Sequence, residues 1–303
     1  MARLSGRLAG GILLWAALAL VPGWARAELD LYDPETYRTA REYMLLIINQ
    51  ARHQAGAGSV RLDPLANKTA RQHAADMLSC GYLSHWNPEG LKPTRRYNLL
   101  GGFHALGENV YFKHGPLLEL TEMLDELLKV LLESPGHRET ILDPRYTHVG
   151  LGFALNAAAR DFYSAQEFIV RIGGDYLCPP GAYVGERVVF SGRFDPYRYE
   201  LAHVVVGYEE LPEPRDKQWL MSTGSYRDAD KLVAGYTPQA NIHFTGMDTY
   251  HDIEVDGEQG AFSCEALLNY KNRAGMYYLF LWLTDKRTKE AVHAATATVE
   301  VTR

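Results

Sequence analysis

Three residues in the first half of this 303-residue chain have side chains suited to acid–base or metal chemistry. His85 lies in the segment SHWNPEG, Glu108 in LGENV and His137 in SPGHRETIL. Two neutral imidazoles and a carboxylate can bind Zn²⁺ or another divalent metal and leave one position open to water or a ligand. Without a metal, Glu108 could act as a base or hydrogen-bond the two histidines. The three residues therefore predict a polar site, provided that the fold brings them together.

The sequence around His137 predicts the start of a short helix. Ser134 is a favoured N-cap residue, and Pro135 suits the first helical position because its missing N–H is not needed there. We expect this helix to end near Asp143 and Pro144. A helix N-terminus carries partial positive charge, which disfavours imidazolium, so we expect His137 to be neutral.

Three longer helices are predicted around these segments. Two of them begin at Asp-Pro pairs and run over residues 34–56 and 64–81, and the third covers residues 116–133. Each has apolar residues at helical spacing. These are Tyr43, Leu46, Ile47 and Ala51 in the first helix, Ala66, Ala70, Ala74, Met77 and Leu78 in the second, and Leu117, Leu120, Leu124, Leu127, Leu128 and Leu131 in the third.

The rest of the first half predicts a few strands and one irregular stretch. Residues 82–107 are rich in turn formers, whereas 148–155 and 161–172 are strand-like runs joined by a short polar turn. Helices around a few strands indicate an α/β fold, an α-β-α sandwich, for a first domain at residues 28–178.

The second half has a different pattern, that of an all-β domain over residues 179–303. Cys178-Pro179-Pro180-Gly181 marks the predicted boundary. The aromatic residues of 276–283 alternate with aliphatic ones, which favours a core position for them. About seven short strands predict a β-sandwich, at Arg187–Arg193, Tyr199–Gly207, Gln218–Ser222, Ala240–Phe244, Ala261–Leu268, Met276–Leu283 and Ala291–Val301.

The N-terminus predicts export. Two arginines precede an apolar run over residues 8–20, and Ala25-Arg26-Ala27 follows as a cleavage site. We therefore expect a signal peptide at residues 1–27 cut after Ala27, a secreted or periplasmic product, and no membrane span after cleavage. Removal of three arginines and no acidic residue changes the formal charge from −6 to −9, which argues against nucleic acid as a partner.

The chain has only three cysteines, Cys80, Cys178 and Cys264, so at most one internal disulfide is possible. One alternative joins Cys178 to Cys264 and fixes the linker to the β domain. The other joins Cys80 to Cys178 and closes the first domain. The second pairing is slightly favoured, because Cys178 follows the last predicted strand of that domain.

Taken together, the motifs of the first domain resemble those of the CAP superfamily, which comprises cysteine-rich secretory proteins, antigen 5 and plant pathogenesis-related proteins. The likeness is to the bacterial, cysteine-poor branch of these SCP domains and covers about residues 36–172. The β domain is more loosely similar to Ig-like accessory domains of secreted bacterial proteins. The motifs that carry the CAP resemblance occur in the family's order: INQARHQAG, LDPLANKTARQHAADML, LSHWNPEG, LGENV, SPGHRETIL, YTHVGLGF and FYSAQEF.

The resemblance implies an α-β-α sandwich with an open cleft that holds two histidines and two acidic residues. His85 and His137 match the two histidines, and Glu108 matches the first acid. Glu133 is the nearest candidate for the second acid, with Glu139 as the fallback.

The leading hypothesis is an exported binding module. Its cleft would hold zinc or another divalent metal through His85 and His137, and an apolar or amphipathic ligand nearby; sterol and fatty-acid binding is what the family resemblance implies. The first alternative is a hydrolase of peptide, ester or cell-wall material, with Glu108 and His137 as candidate catalytic residues. The second alternative is an interaction protein that binds an envelope partner through its β domain.

Overall fold

The computed structural model describes residues 31–303, so the predicted signal peptide lies outside the described residues. In chain order the elements are α1 (Pro34–Gln54), β1 (Arg61–Leu62), α2 (Pro64–Cys80), α3 (Pro93–Leu99), β2 (Ala105–His114), α4 (Leu120–Glu133), α5 (Pro135–Leu142), β3 (His148–Asn156), β4 (Asp161–Val170), β5 (Gly173–Leu177), β6 (Gly181–Tyr183), β7 (Arg187–Phe194), β8 (Tyr199–Glu209), α6 (Lys217–Ser222), β9 (Lys231–Tyr236), β10 (Asp248–Tyr250), β11 (Ile253–Asp256), β12 (Ala261–Leu267), β13 (Gly275–Asp285) and β14 (Ala291–Thr302).

The first domain is a four-stranded sheet between two layers of helices. Its strand order is β1-β3-β4-β2, which leaves β2 at an edge. Helices α1, α4 and α5 share one apolar core with the sheet. Helix α2 covers the other face, where α3 also packs. The α-β-α arrangement therefore agrees with the sequence-based prediction for this domain.

The helix boundaries follow local capping chemistry. The Asp33 carboxylate accepts a hydrogen bond from the Thr36 N–H at 2.7 Å and begins α1. Asp63 does the same for α2, accepting from the N–H groups of Leu65 and Ala66. Gly81 ends α2 in the left-handed conformation, which glycine adopts without steric cost. These starts and this end were predictable because each depends on neighbouring residues only.

Helix α2 lies unusually close to strand β3. A Cβ atom built on Gly150 would lie 2.1 Å from the backbone carbonyl carbon of Ala66, and one on Gly152 would lie 2.1 Å from that of Ala70. The glycines of the YTHVGLGF motif therefore allow helix backbone and strand backbone to touch. This contact sets the distance between α2 side chains and the sheet.

A buried arginine holds the segment that includes α5. The Arg52 side chain is fully buried, and its guanidinium donates hydrogen bonds to four backbone carbonyls. Three of these lie in the last turn of α5, at Ile141, and just after it, at Asp143 and Tyr146. Burying a cation is costly unless its donors are satisfied, so this arrangement fixes α5 against α1.

Several predicted elements of the first domain were wrong in detail. Helix α4 begins at Leu120, and Leu117 is 36% exposed instead of lying on the apolar stripe. Gly115 and Pro116 separate the strand from the helix, and Leu118 packs on the core from this irregular segment. Leu46 is 45% exposed on the solvent side of α1.

The stretch predicted as irregular contains both α3 and the first part of β2. Glu108, just beyond this stretch, lies in strand β2. The alternation of β2 was hidden because buried Glu108 and Asn109 interrupt it with polar residues.

The second domain has two sheets, of six and four strands. Their orders are β10-β9-β8-β13-β14-β6 and β11-β12-β7-β5. Apolar residues of both sheets form one core, to which Phe190, Phe262, Leu279 and Leu281 contribute. This is the expected two-sheet β architecture with more strands than predicted, and its Ig-like resemblance stays a prediction. Tyr277 and Tyr278 are buried, as their alternation with aliphatic residues indicated.

Two predicted strands of the second domain were wrong. Residues 218–222 belong to helix α6, which begins where the Asp216 carboxylate accepts a hydrogen bond from the Trp219 N–H at 2.8 Å. Residues 240–244 form no strand, whereas β9, β10 and β11 were not predicted. Strand β5 also precedes the predicted boundary at Cys178, yet pairs with β7 of the second domain.

Neither predicted disulfide is formed, because all three cysteines are free. Cys80 is exposed at the end of α2, whereas Cys264 is buried in the core of the second domain. Cys178 packs on that same core as a thiol, and burial raises its pKa to about 12.

The long connection between β8 and β9 leaves the second domain and lies on the first. We call residues 210–230 the β8–β9 connection. Its Arg215 N–H donates to the Pro88 carbonyl at 2.7 Å, and its Leu220 is buried beside Tyr82 in a core cluster of the first domain. Because the connection also contains α6, it brings one helix of the second half of the chain onto the first domain.

Among the helices of residues 31–303, none is long and apolar enough to cross a membrane.

The close approach of α2 to β3 generates a stability prediction. We expect Gly152→Ala to lower the free energy of unfolding by at least about 2 kcal/mol, because the added methyl group must displace the backbone at Ala70. Urea denaturation of the purified variant measures the change. Gly58→Ala is the control, since a Cβ atom there meets nothing within 4 Å. Equal free energies of unfolding for the two variants would show that α2 does not depend on this contact.

Candidate functional site

A cleft lies along the edge strand β2, with a cavity volume of about 460 Å³. Because β2 is an edge strand, side chains from both faces of the sheet can reach this cleft. His85, Glu108 and His137 all line it, so the structure brings the three predicted residues together. The remaining lining residues are Leu83, Ser84, Asn109, Val110, Ser134, Gly136, Thr140, Thr223, Gly224, Ser225 and Tyr226.

Glu108 is the charged centre of the site, and its side chain is fully buried. The Arg96 Nη2 group donates a hydrogen bond to Oε2 at 2.5 Å, while His85 Nδ1 lies 2.9 Å from Oε1. Burial alone would raise the pKa of Glu108, but Arg96, His73 and His85 together hold this pKa below its usual range. Glu108 is therefore an ionised carboxylate with a partner on each oxygen.

Arg96 also fixes the loop that carries His85. Its Nη1 group donates to the backbone carbonyls of His85 at 2.6 Å and Leu91 at 3.1 Å. One guanidinium thus holds both the Glu108 side chain and the backbone next to it. The rigid fork of an arginine side chain suits this double role better than a lysine ammonium would.

His85 is held in one orientation. Its Nδ1 contacts Glu108, and its ring packs on Tyr226 with ring centroids 4.8 Å apart. If Nδ1 carries the proton that Glu108 accepts, Nε2 is left as the nitrogen with a free lone pair. The geometry therefore makes Nε2 the atom available to a ligand or a metal.

His137 occupies the first turn of α5, as predicted. Its pKa is lowered, first by burial and then by the nearby His85, so the neutral imidazole is favoured. The neutral form was expected for a different reason, the helix N-terminus. Ser134 precedes the helix with extended backbone geometry but makes no side-chain capping hydrogen bond. The Asn109 amide instead donates to the backbone carbonyl of His137 at 3.3 Å.

A third histidine, His73 of α2, lies behind the cleft. Its Nε2–H donates to the Ser84 carbonyl at 2.8 Å, and the same nitrogen is 3.9 Å from Glu108 Oε1. Burial, followed by the charge of Arg96, lowers the pKa of His73 to about 3. A neutral, buried imidazole in this position supports the His85 loop and does not reach the cavity.

The second acidic residue beside Glu108 is Glu167, not Glu133 or Glu139. Glu167 is directly opposite Glu108 in the β2–β4 ladder and is fully buried. The Thr69 hydroxyl hydrogen-bonds one of its carboxyl oxygens. Burial, followed by the negative charge of Glu108, raises the pKa of Glu167. Glu133 and Glu139 are exposed and line no part of the cleft, because Glu133 ends α4 and Glu139 points away on α5.

The residues of the cleft offer two imidazoles to a metal ion and no third strong ligand. Residues 31–303 contain no cluster of three His, Cys, Asp or Glu side chains arranged to hold one. Glu108 is already engaged by Arg96 and His85, which leaves it as a partner of His85 and not as a ligand. Zinc sites that stay open to water usually have three protein ligands, so the two imidazoles form an incomplete set and the metal stays a prediction.

Sequence reasoning missed Arg96, Glu167 and Tyr226. Arg96 is one of two adjacent arginines in an unpredicted helix, and nothing local indicates that it pairs with Glu108. Glu167 lies in the strand-like run 161–172. Strand alternation and the position of Glu108 could have placed Glu167 opposite Glu108. Tyr226 comes from the second half of the chain, so no pattern within the first domain could have indicated it.

Comparisons with known proteins concern the first domain. Residues 45–168 match the model of the cysteine-rich secretory protein family, CAP, which confirms the resemblance seen in the motifs. The uncharacterised protein YkwD of Bacillus subtilis (strain 168) is 26% identical over 121 residues, which is 40% of this chain and 44% of that protein. The chain thus spans less than half the length of the curated relative it matches.

Two solved structures are also similar. One is an extracellular protein containing an SCP domain from Bacillus anthracis str. Ames, with 24% identity, a TM-score of 0.37, and coverage of 44% of this chain and 41% of that one. The other is an outer surface protein of Borrelia burgdorferi, with 15% identity, a TM-score of 0.39, and coverage of 48% of this chain and 98% of that one.

The buried pair of Glu108 and Glu167 generates a pH prediction. The folded state raises the pKa of Glu167 above its ordinary value of 4.5. Below pH 4.5 the Glu167 carboxyl is protonated in both the folded and the unfolded state, so it does not oppose folding. As the pH rises above 4.5, the unfolded state ionises more readily than the folded state, and stability is lost. We expect Glu167→Gln to unfold at higher denaturant than the parent protein, with a gain in free energy of unfolding that grows as the pH rises above 4.5.

Urea denaturation at a series of pH values measures this gain. Glu139→Gln is the control, because Glu139 is an exposed glutamate on α5. A gain for Glu167→Gln that is flat or shrinks with rising pH would contradict the assignment of a protonated Glu167.

Proposed function

Because residues 45–168 form a CAP domain, we propose that this protein is an exported binding protein whose cleft takes up a small ligand. One observation carries the proposal. Both oxygens of the Glu108 carboxylate are engaged, by Arg96 and by His85, and this leaves the His85 imidazole as the reactive group facing the cavity. The arrangement suits a preformed recognition site better than a group that must gain and lose protons. Export rests on the signal peptide predicted at residues 1–27.

A divalent metal, such as zinc, is the second part of the proposal. His85 and His137 would hold it, and Glu108 would stay on the opposite ring nitrogen of His85. A carboxylate in that position is the usual partner of a metal-binding histidine, because it fixes the tautomer and raises the basicity of the ligating nitrogen. A bound metal would act as a Lewis acid toward a ligand or a water molecule.

The hydrolase alternative has one supporting feature. A carboxylate on Nδ1 of His85 orients Nε2 as it would for a general base. Glu108 itself is a poor acid or base, because Arg96 lowers its pKa and occupies one oxygen. No serine, threonine or cysteine in residues 31–303 hydrogen-bonds the His85 ring. Binding is therefore the better-supported proposal, and an envelope partner of the β domain stays a separate prediction.

Calorimetric titration of the full-length protein with Zn²⁺ tests the metal site. We expect binding in the parent protein and its loss in the His85→Ala, His137→Ala double variant. Glu108→Gln should weaken zinc binding by about 10–100-fold, because it removes the carboxylate that orients the His85 ring.

His114→Ala serves as the matched control, since the His114 side chain is 68% exposed on the distal part of β2. Circular dichroism of each variant establishes that it is folded. Equal zinc affinity in the parent protein and in the double variant, or no affinity in either, would remove the metal from the proposal. Mass spectrometry of organic extracts of the purified protein then tests for a co-purified apolar or amphipathic ligand.

A further inference from the structure

The second half of the chain supplies one wall of the cleft. Thr223, Gly224, Ser225 and Tyr226 all belong to the β8–β9 connection and line the same cavity as His85 and His137. The CAP domain alone would therefore leave this cavity open on one side. A ligand bound there would touch both halves of the chain.

Contacts on both sides of these residues hold the wall in place. The hydroxyl groups of Thr223 and Ser84 hydrogen-bond each other at 2.7 Å. Farther along, the Thr94 hydroxyl donates to the Asp228 carboxylate at 2.9 Å. The Tyr226 ring packs on the rings of His85 and Trp86, with centroid distances of 4.8 and 6.3 Å. The cleft is thus a preformed, composite site.

The charges lining the cavity are balanced. The Glu108 carboxylate is paired with the Arg96 guanidinium. No other Asp, Glu, Lys or Arg side chain of the described residues lines the cavity. In the metal-free protein an anionic headgroup would find no unpaired Lys or Arg in this cavity, since Arg96 already serves Glu108, so the side chains themselves favour an uncharged ligand.

Hydrogen-bonding groups are plentiful around this neutral cavity. Residues with hydroxyl side chains line it from both halves of the chain, namely Ser84, Ser134, Thr140, Thr223, Ser225 and Tyr226. The hydroxyls of Ser84 and Thr223 bond each other, and that of Thr140 donates to the Gly136 carbonyl.

We propose that this composite cleft binds a neutral saccharide, with Tyr226 and Ser225 of the β8–β9 connection as ligand-contacting residues. A sugar presents many hydroxyl groups around an apolar ring face, which matches a cavity that combines hydroxyl, amide and aromatic groups. The inference deepens the proposed binding function and rests on it.

Saturation-transfer NMR on the full-length protein tests the proposal, with chitotetraose, cellotetraose and maltotetraose as probes and sodium oleate as the lipid probe. We expect at least one tetrasaccharide to bind and oleate to bind more weakly. Ser225→Ala should weaken that saccharide by about 2–10-fold through the loss of one hydrogen bond. Tyr226→Ala should weaken it further, because ring contact and hydroxyl are both lost.

Tyr197→Ala is the control for loss of a tyrosine, since Tyr197 is 92% exposed elsewhere on the second domain. Its affinity for the saccharide should equal that of the parent protein. Ser225→Ala keeps the test decisive if Tyr226→Ala does not fold, because Ser225 is exposed.

Three results would overturn the saccharide assignment: no tetrasaccharide binds at millimolar concentration, oleate binds more tightly than all three, or binding is unchanged in Ser225→Ala and in a folded Tyr226→Ala. The zinc titration separates this failure from that of the proposed function. Zinc binding that needs His85 and His137, without saccharide binding, leaves the metal-binding cleft standing and removes only the saccharide.

Discussion

The buried carboxylate of Glu108 is the constraint on which the site depends. An ionised carboxylate without partners in the protein interior would cost several kcal/mol, so the surrounding structure must supply compensating charge and hydrogen bonds. Arg96 of α3 provides the charge, and the same guanidinium holds the backbone of the His85 loop. The ring nitrogen Nδ1 of His85 hydrogen-bonds the other carboxylate oxygen. The position of the cleft histidine is thus a consequence of how the charge of Glu108 is neutralised.

The close packing of α2 on the sheet makes this arrangement possible. Gly150 and Gly152 let the helix approach β3 at backbone distance, which brings Thr69 to Glu167 and His73 to the vicinity of Glu108. Two carboxyl groups directly opposite each other on neighbouring strands cannot both be ionised at low cost. The surroundings move the pKa values of the two groups apart. Arg96 favours the charged form of Glu108, and burial next to that charge favours the protonated form of Glu167.

Local chemistry made part of this molecule predictable from sequence. Asp33, Asp63 and Gly81 mark helix boundaries through contacts with residues a few positions away. His85, Glu108 and His137 were identified because their motifs occur in a known order. What could not be predicted depends on contacts between distant segments. Arg96, in the unpredicted helix α3, pairs with Glu108 of β2, and Tyr226 reaches the cleft from the second half of the chain. Polar Glu108 also hid β2, since a buried charge interrupts the alternation that marks a strand.

The length of the β8–β9 connection supports the view that the two halves of the chain work as one unit. Most connections in compact domains are short, with a median of about 4–6 residues. This one, residues 210–230, buries Leu220 in a core cluster of the first domain and hydrogen-bonds Thr223 to Ser84 beside His85. A loop that only joined β8 to β9 would need neither contact. The β8–β9 connection therefore supplies one wall of the cleft, and the shape of the cavity depends on both halves of the chain.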